Sequence, residues 1–540
     1  MEELAANLSK EPNIKKDVLD SDGAQELDTS SRVLNERKEK IKLWLKNPYN
    51  LILLGILIFS FIILIYYFNL TKDQPLWYDE GEYMSTANYW AFGIPYNIHP
   101  ARPPLFPFLV AIMFKLGLGL LSVKFLLEII PALLTIVFIY LLVNEMYGNK
   151  KLALITAFIL SVSWIHLFYT MRLMTDSIGF LFGILAILCF WKGHINNKGK
   201  IYIWLIGMFV SLSFLSRLAG VLYGFLILSF LVLTLQFNFL KNKNMWISFI
   251  ISLLTISPYL IWGYFYYGNA LAFKVGSVSV SPNPLGWSVL QFVYDYPEFI
   301  FFILFLVGLI TFLPMLLSLD RLILKKDKKY YNDLFVIFNL IFTLFFFIYF
   351  LRGAENRWLM MMSISIFIIS AKGIILVYEI IKKNIGKVLG IIAVLLILSA
   401  GAYYELKHAD MIINLKKDSY SQVKDAALWI KENSNPDDII VSASHTQMTY
   451  YSERKMITHF NFTANRYFTS EEFDKVIADY KPKYYVVSVF EPSIPQWTYS
   501  YPENKSNFQP VKAWFSDAEQ KQPILIIYQI TYDNIISPNI

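Results

Sequence analysis

Apolar stretches of about 18 residues or more recur from Leu51 to Tyr404, each long enough to cross a bilayer core of about 30 Å as a helix. Lipid satisfies no backbone hydrogen bond, so segments that span it have to be helices that close their own. The sequence therefore predicts an all-α polytopic membrane bundle. Composition agrees, with 56% hydrophobic and only 16% charged residues, against about a quarter charged in soluble domains. Helices are expected near 51–68, 125–146, 152–168, 177–192, 201–216, 218–238, 246–266, 298–319, 333–351, 357–378 and 387–404, about eleven in all. The single cysteine, Cys189, lies inside one of them, which excludes an internal disulfide and a cysteine-based zinc site.

Three regions follow. Residues 1–46 are polar and without apolar period, so they cannot bury enough surface to offset chain entropy and are expected to form a disordered cytoplasmic tail. Residues 47–404 form the membrane domain, with a long first outer loop at 70–124. Residues 405–540 are less apolar and alternate differently: helices are expected at 421–433 and about 470–480, and strands in DDIIVSAS, KYYVVSVF and PILIIYQI, the pattern of a small extracytoplasmic α/β domain.

The net charge of +7 would suit nucleic acid, but the lysines sit in short loops, where they orient a membrane protein. The segment Pro104 to Leu121 decides the orientation. If it spans, the basic clusters fall outside; if it lies along the surface or re-enters, Lys150/Lys151, Lys192/Lys198/Lys200, Lys241/Lys243, Arg321 to Lys329 and Lys382/Lys383/Lys387 all fall inside, as does the N-terminus beside Arg37 and Lys38. The surface reading is preferred. It puts the C-terminal domain outside, together with nearly every charge that could do chemistry.

Those charges begin in the first loop. Asp79, Glu80 and Glu82 open a short helix among Trp77, Tyr78, Tyr83, Tyr89 and Trp90. Asp79 suits an N-cap; aromatic anchoring at the lipid interface would equally set it before a lipid-linked substrate. Arg102 follows in HPARPPL, where paired prolines stiffen the chain and a guanidinium can meet a phosphate. His99 has no spaced metal-ligand partner and is expected to be a satisfied loop histidine. Arg172 and Asp176 lie in MRLMTDS, Arg217 in SRLAG, and Arg352, Glu355 and Arg357 in LRGAENRWLMM. Each alone fits a helix end, but together they form a polar ring of acids and arginines, suited to a phosphate headgroup and a general base. Asn461-Phe462-Thr463 and Asn504-Lys505-Ser506 fit the N-glycosylation pattern.

DEGEY followed by RPPLFPFL, MRLMTDS, SRLAG and ENRWLMM resembles the C-type (GT-C) membrane glycosyltransferases, in particular the protein O-mannosyltransferase and lipid A aminoarabinose transferase branch, over residues 50 to 380. The resemblance implies transfer of a hexose or pentose from a dolichyl- or undecaprenyl-phosphate donor to a hydroxyl on protein, lipid or glycan, at the outer face and with inversion. It implies Asp79 as the catalytic carboxylate that activates the hydroxyl, with Glu80 beside it and Asp176 as a second-loop aspartate. Arg102, Arg172, Arg217, Arg352 and Arg357 would bind the donor phosphate. Trp358 and the missing proline depart from the family's pattern after Arg357. No cofactor is required by this chemistry, since cationic side chains offset the phosphate, and divalent-cation use stays open. The competing reading is a flippase for lipid-linked sugars, which would be expected to show ionisable residues or broken helices at mid-membrane and a repeat between halves. Neither is visible in the sequence.

Overall fold

The computed structural model describes residues 39, 42–274, 285–318, 328–461, 466–491, 494–516 and 519–532. Most of the expected tail, most of the Arg321 to Lys329 cluster, and Phe462 and Thr463 of the first glycosylation triplet lie outside the described residues. The chain divides into two compact units, residues 1–56 and residues 57–540, the second holding the rest of the bundle together with the C-terminal sheet.

Among the described residues nine helices are long and apolar enough to cross a membrane, or ten if the bent pair Lys150–Val162 and Trp164–Thr170 counts as one span. The chain is a multi-pass membrane protein. The shortfall from eleven is Lys200–Ser216, whose 17 residues cover about 25 Å. This helix runs the full distance between its neighbours: Gly207 N–H donates to Ser248 Oγ at 2.9 Å, Ser213 Oγ donates to the Gly179 carbonyl at 2.8 Å, and Arg217 at its end meets Asp176. The segment left open in the sequence forms Leu105–Lys115, 11 residues of about 16 Å. That is too short to cross, as the surface reading expected.

Two expectations need correction. The helix expected at 152–168 breaks at Ser163 and bends by 52°. The bend frees the Trp164 N–H, which donates to Glu405 Oε2 at 2.9 Å, and the Trp164 ring stacks on His408 at 4.4 Å. The last span does not end at 404 but runs unbroken as Lys387–Lys416, because Glu405 and His408 face these partners.

The spans Asn356–Asn384 and Asp176–Ile195 are the most enclosed, with 78% and 72% of their apolar windows buried, whereas Lys243–Tyr267 has 11% and faces outward. Small residues make the enclosure: Ser363, Ser365, Ser370 and Gly373 let backbones approach from several sides. Ser370 Oγ donates to the Phe301 carbonyl at 3.0 Å, and a Cβ at Gly373 would sit 2.0 Å from the Leu304 carbonyl oxygen. Gly373→Leu should lower stability by about 1–3 kcal/mol through overpacking, read as a fall in the thermal midpoint of the detergent-solubilised protein. An unchanged midpoint would mean that these helices do not cross so closely.

The C-terminal region carries the expected α/β layout. A five-stranded sheet runs β2-β1-β5-β7-β6, with β1 Ile439–Ser442, β2 Lys455–Ile457, β5 Tyr484–Ser488, β6 Phe508–Phe515 and β7 Pro523–Ile530, while β3 Phe460–Asn461 and β4 Arg466–Tyr467 form a separate pair. β1 pairs in parallel with β2 and β5, and β7 antiparallel with β5 and β6. Period-two alternation gives two cores. Ile440, Tyr484, Val486 and Ile527 pack against helix Ser421–Asn433; Val441, Tyr485 and Tyr528 pack on the opposite face with Phe473 and Ile477 of helix Ser470–Tyr480.

Candidate active site

The acidic run in the first loop divides its labour along helix Tyr78–Phe92. Glu80, three residues into the turn, reaches back to accept from the Trp77 N–H at 2.6 Å, so the cap that suited Asp79 is made by Glu80. Glu80 also accepts from the Leu173 N–H at 2.6 Å and pairs with Arg172, both side chains being almost wholly buried. Arg172 further donates to Gln74 Oε1 and the Pro75 carbonyl, and its guanidinium lies 4.0 Å from the centre of the Trp77 ring. This pair joins the first loop to the junction after Trp164–Thr170. Buried as they are, Glu80 and Arg172 stand apart from the partly exposed cluster around Asp79. Trp77 and Tyr83, expected at the lipid interface, likewise pack inward, Tyr83 edge-on to Phe106 at 5.6 Å.

Asp79 faces the other way. Its Oδ1 accepts from Arg102 Nη2 at 2.6 Å and its Oδ2 from Arg357 Nη2 at 2.8 Å, with side-chain exposures of 17%, 29% and 17% for Asp79, Arg102 and Arg357. Arg102 also pairs with Glu82, and Arg357 donates from Nε to Glu355 at 2.8 Å and from Nη1 to Met174 Sδ at 3.2 Å. Burial pushes the Asp79 carboxyl up, but the two guanidiniums more than offset it and hold it below the usual range. A carboxylate held this way is ionised at neutral pH and a poor proton acceptor.

Asp176 opens span Asp176–Ile195 and pairs with Arg217, which also donates to the Arg357 carbonyl at 2.8 Å. Arg217 stands at an extended residue between two helices. These three groups line a cleft with Tyr223, Trp358 and Met361 that holds about 390 Å³ of empty space, part of it open to solvent. Both enclosed spans start here, so their positive N-terminal ends point at the cluster. Arg352 lies outside these pairs, left-handed at φ 55 after the π-helix Phe346–Leu351, with its backbone against Gly286. His99 fulfils the expectation for a loop histidine: the Ala101 N–H donates to its Nδ1 at 3.2 Å, and burial, with Arg102 nearby, takes its pKa down to about 4. Among the described residues no three His, Cys, Asp or Glu side chains gather as a metal site.

Glu82, seen only as part of the acidic run, joins the cluster through Arg102; its position one turn after Asp79 was the available signal. The share of the C-terminal domain was not legible. Helix His445–Ser452 lies directly on the first-loop helix at Gly81, where a Cβ would stand 2.7 Å from the Gln447 nitrogen. Thr446 Oγ1 donates to the Tyr78 carbonyl at 2.9 Å, Ser85 Oγ donates to the Thr446 carbonyl at 2.8 Å, and the Leu76 N–H donates to Tyr451 Oη at 2.9 Å.

This bundle and its C-terminal sheet have the fold of the C-type (GT-C) membrane glycosyltransferases. A model of the dolichyl-phosphate-mannose-protein mannosyltransferase family matches residues 101–262, a range that includes Arg102, Arg172, Asp176 and Arg217 but not Asp79 or Arg357. No curated protein matches. Among solved structures, ArnT from Cupriavidus metallidurans bound to undecaprenyl phosphate is similar with a TM-score of 0.63 at 12% identity, over 88% of this chain and 98% of that one. The oligosaccharyltransferase AglB from Archaeoglobus fulgidus, in complex with an inhibitory peptide and a dolichol-phosphate, is similar with a TM-score of 0.58 at 16% identity, over 90% of this chain and 75% of that one.

The two kinds of pair respond differently to substitution. Arg172→Met leaves Glu80 buried without its cation and should cost roughly 3–5 kcal/mol, whereas Asp79→Asn, in the partly exposed cluster where Glu82 and Glu355 still pair the two arginines, should cost clearly less. Equal effects on thermal unfolding would refute the division.

Proposed function

We propose that this chain is a glycosyltransferase that moves a hexose or pentose from a polyprenyl-phosphate carrier, dolichyl or undecaprenyl, to an acceptor hydroxyl on protein, lipid or glycan. The observation that carries the proposal is the convergence of Arg102 and Arg357, from segments far apart in sequence, on the partly exposed Asp79 carboxylate. Two guanidiniums that share one carboxylate can turn to a dianionic or monoanionic phosphate, which offers more oxygens to the same donors. Arg217 adds a further cation, lining the cleft beside Arg357. Phosphate is then stabilised as it leaves, where transition-state charge develops. Asp79 and Asp176 keep the arginines aimed and set negative charge beside the electron-poor anomeric carbon. One in-line displacement inverts the anomeric configuration.

The family description and the carriers bound by ArnT and AglB support this reading. An outer-face site is supported by charge: Lys150, Lys198, Lys200, Lys243 and Lys382 lie at the ends of spans opposite the cluster, and the positive-inside bias favours keeping such ends in the cytoplasm.

The test uses protein purified in lipid with a panel of polyprenyl-phosphate sugars, reading carrier phosphate released and sugar moved. Wild type should consume one donor, and Asp79→Asn should lose about 10²-fold or more in turnover while still binding it. Arg357→Ala should weaken carrier binding by about tenfold to a hundredfold, from 1.5–3 kcal/mol for hydrogen bonds to a charged group. With arginines offsetting the phosphate, chelation of divalent ions should leave release undiminished. If no donor is consumed while lipid-linked sugar crosses the bilayer, the protein is a flippase.

A further inference from the structure

β1 and β5 are parallel neighbours whose onward connections diverge, from β1 to β2 on one side and from β5 towards β6 and β7 on the other. In open α/β sheets such a divergence leaves a crevice at the carboxyl ends of the two strands, where ligands bind. Here those ends carry Ser444 and His445 after β1 and Glu491 after β5. The crevice is pressed against the first loop. Tyr78 lies edge-on to the His445 ring at 5.6 Å, Thr446 is bonded to the Tyr78 carbonyl, and Ser444 Oγ donates to Glu491 Oε1 at 3.1 Å. Glu491 lies within electrostatic reach of both Asp79 and Tyr78. It is the carboxylate beside the Asp79 cluster that comes from the other domain, and no arginine holds it among the described ion pairs.

We propose that Glu491 is the general base for the acceptor, brought beside the Asp79 cluster by the C-terminal domain. The inference rests on the transferase reading above. As the acceptor oxygen bonds to the anomeric carbon, the bond from that carbon to the phosphate oxygen breaks. The electron pair leaves with the carrier phosphate, and the hydroxyl proton passes to the Glu491 carboxylate. Asp79, whose carboxyl the neighbouring Arg102 and Arg357 hold below the usual range, is a weak acceptor for that proton. Glu491 is well matched to it: burial pushes its carboxyl up to about 7, against the Ser444 hydrogen bond and helped by the negative charge of Asp79, and a base poised near the working pH is the most effective. The other titratable groups around it are Tyr78, Tyr420, Tyr499 and His445. Burial raises the three tyrosines and lowers the histidine, so these four are neutral at pH 7; burial also raises Glu82 beside Arg102, so a rate change near pH 7 is assigned by its loss in a Glu491 variant.

The experiment follows the full-length protein in lipid vesicles with the donor that wild type consumes, measuring kcat and donor KM between roughly pH 5 and pH 9. Wild-type kcat should rise through about pH 7 as Glu491 loses its proton. Glu491→Gln, which keeps the shape and the bond from Ser444, should lower kcat by about 10²-fold or more, leave donor KM unchanged and abolish the rise. Glu491→Asp should restore part of both rate and pH dependence. If Glu491→Gln keeps the wild-type kcat and pH profile, Glu491 is not the base, and the transferase reading stands without it. If both variants lose donor binding as well, its role is structural and the inference fails. If wild type releases phosphate from no donor, the transferase reading fails and takes this inference with it.

Discussion

A carboxylate shared by two guanidiniums holds the open cluster together. Asp79 ties Arg102 of its own loop to Arg357, 278 residues further on, and so fixes the first loop against the turn that starts the most enclosed span. Cations at a membrane boundary with no partner would be costly to keep out of water. With Asp79 between them they are neutralised yet remain partly exposed, so a ligand with more negative charge can take them over. The buried pair of Glu80 and Arg172 solves the other half of the problem. It fixes the loop from its buried side, leaving Asp79 to pair with Arg102 and Arg357.

Much of this architecture was legible in the chain. Apolar run length gave the bundle, and the strands DDIIVSAS, KYYVVSVF and PILIIYQI became β1, β5 and β7 because alternation over a two-faced sheet leaves a clear period. Helices Ser421–Asn433 and Ser470–Tyr480 fell where the pattern put them. The failures have physical causes. Run length cannot see a bend such as that at Ser163, whose stability depends on a carboxylate more than two hundred residues away. Nor could it end the last span correctly, because Lys387–Lys416 passes from lipid to its polar partners without a break in helical pattern.

The charged residues divide in the same way. That acids and arginines gather on one side followed from topology and loop charge alone. Which of two adjacent acids joins the partly exposed arginines did not, since Asp79 and Glu80 differ by one helical step of about 100° and only the positions of their partners decide it. Likewise Gly81 reads in sequence as a weak point in a helix. In the structure it is the place where a second helix touches the backbone, and so the reason that the C-terminal domain reaches the cluster at all.

The unbroken helix Lys387–Lys416 has a mechanical consequence. Its 30 residues make a shaft of about 45 Å, anchored in its second half by Glu405 and His408 and followed by a turn at 417–420 before helix Ser421–Asn433. A stiff shaft of this kind leaves only that short turn for the chain to flex where bundle and domain meet. Any swing of the domain relative to the bundle would therefore have to bend at that turn, where Tyr420 is left-handed at φ 70, and break the contact at Gly81.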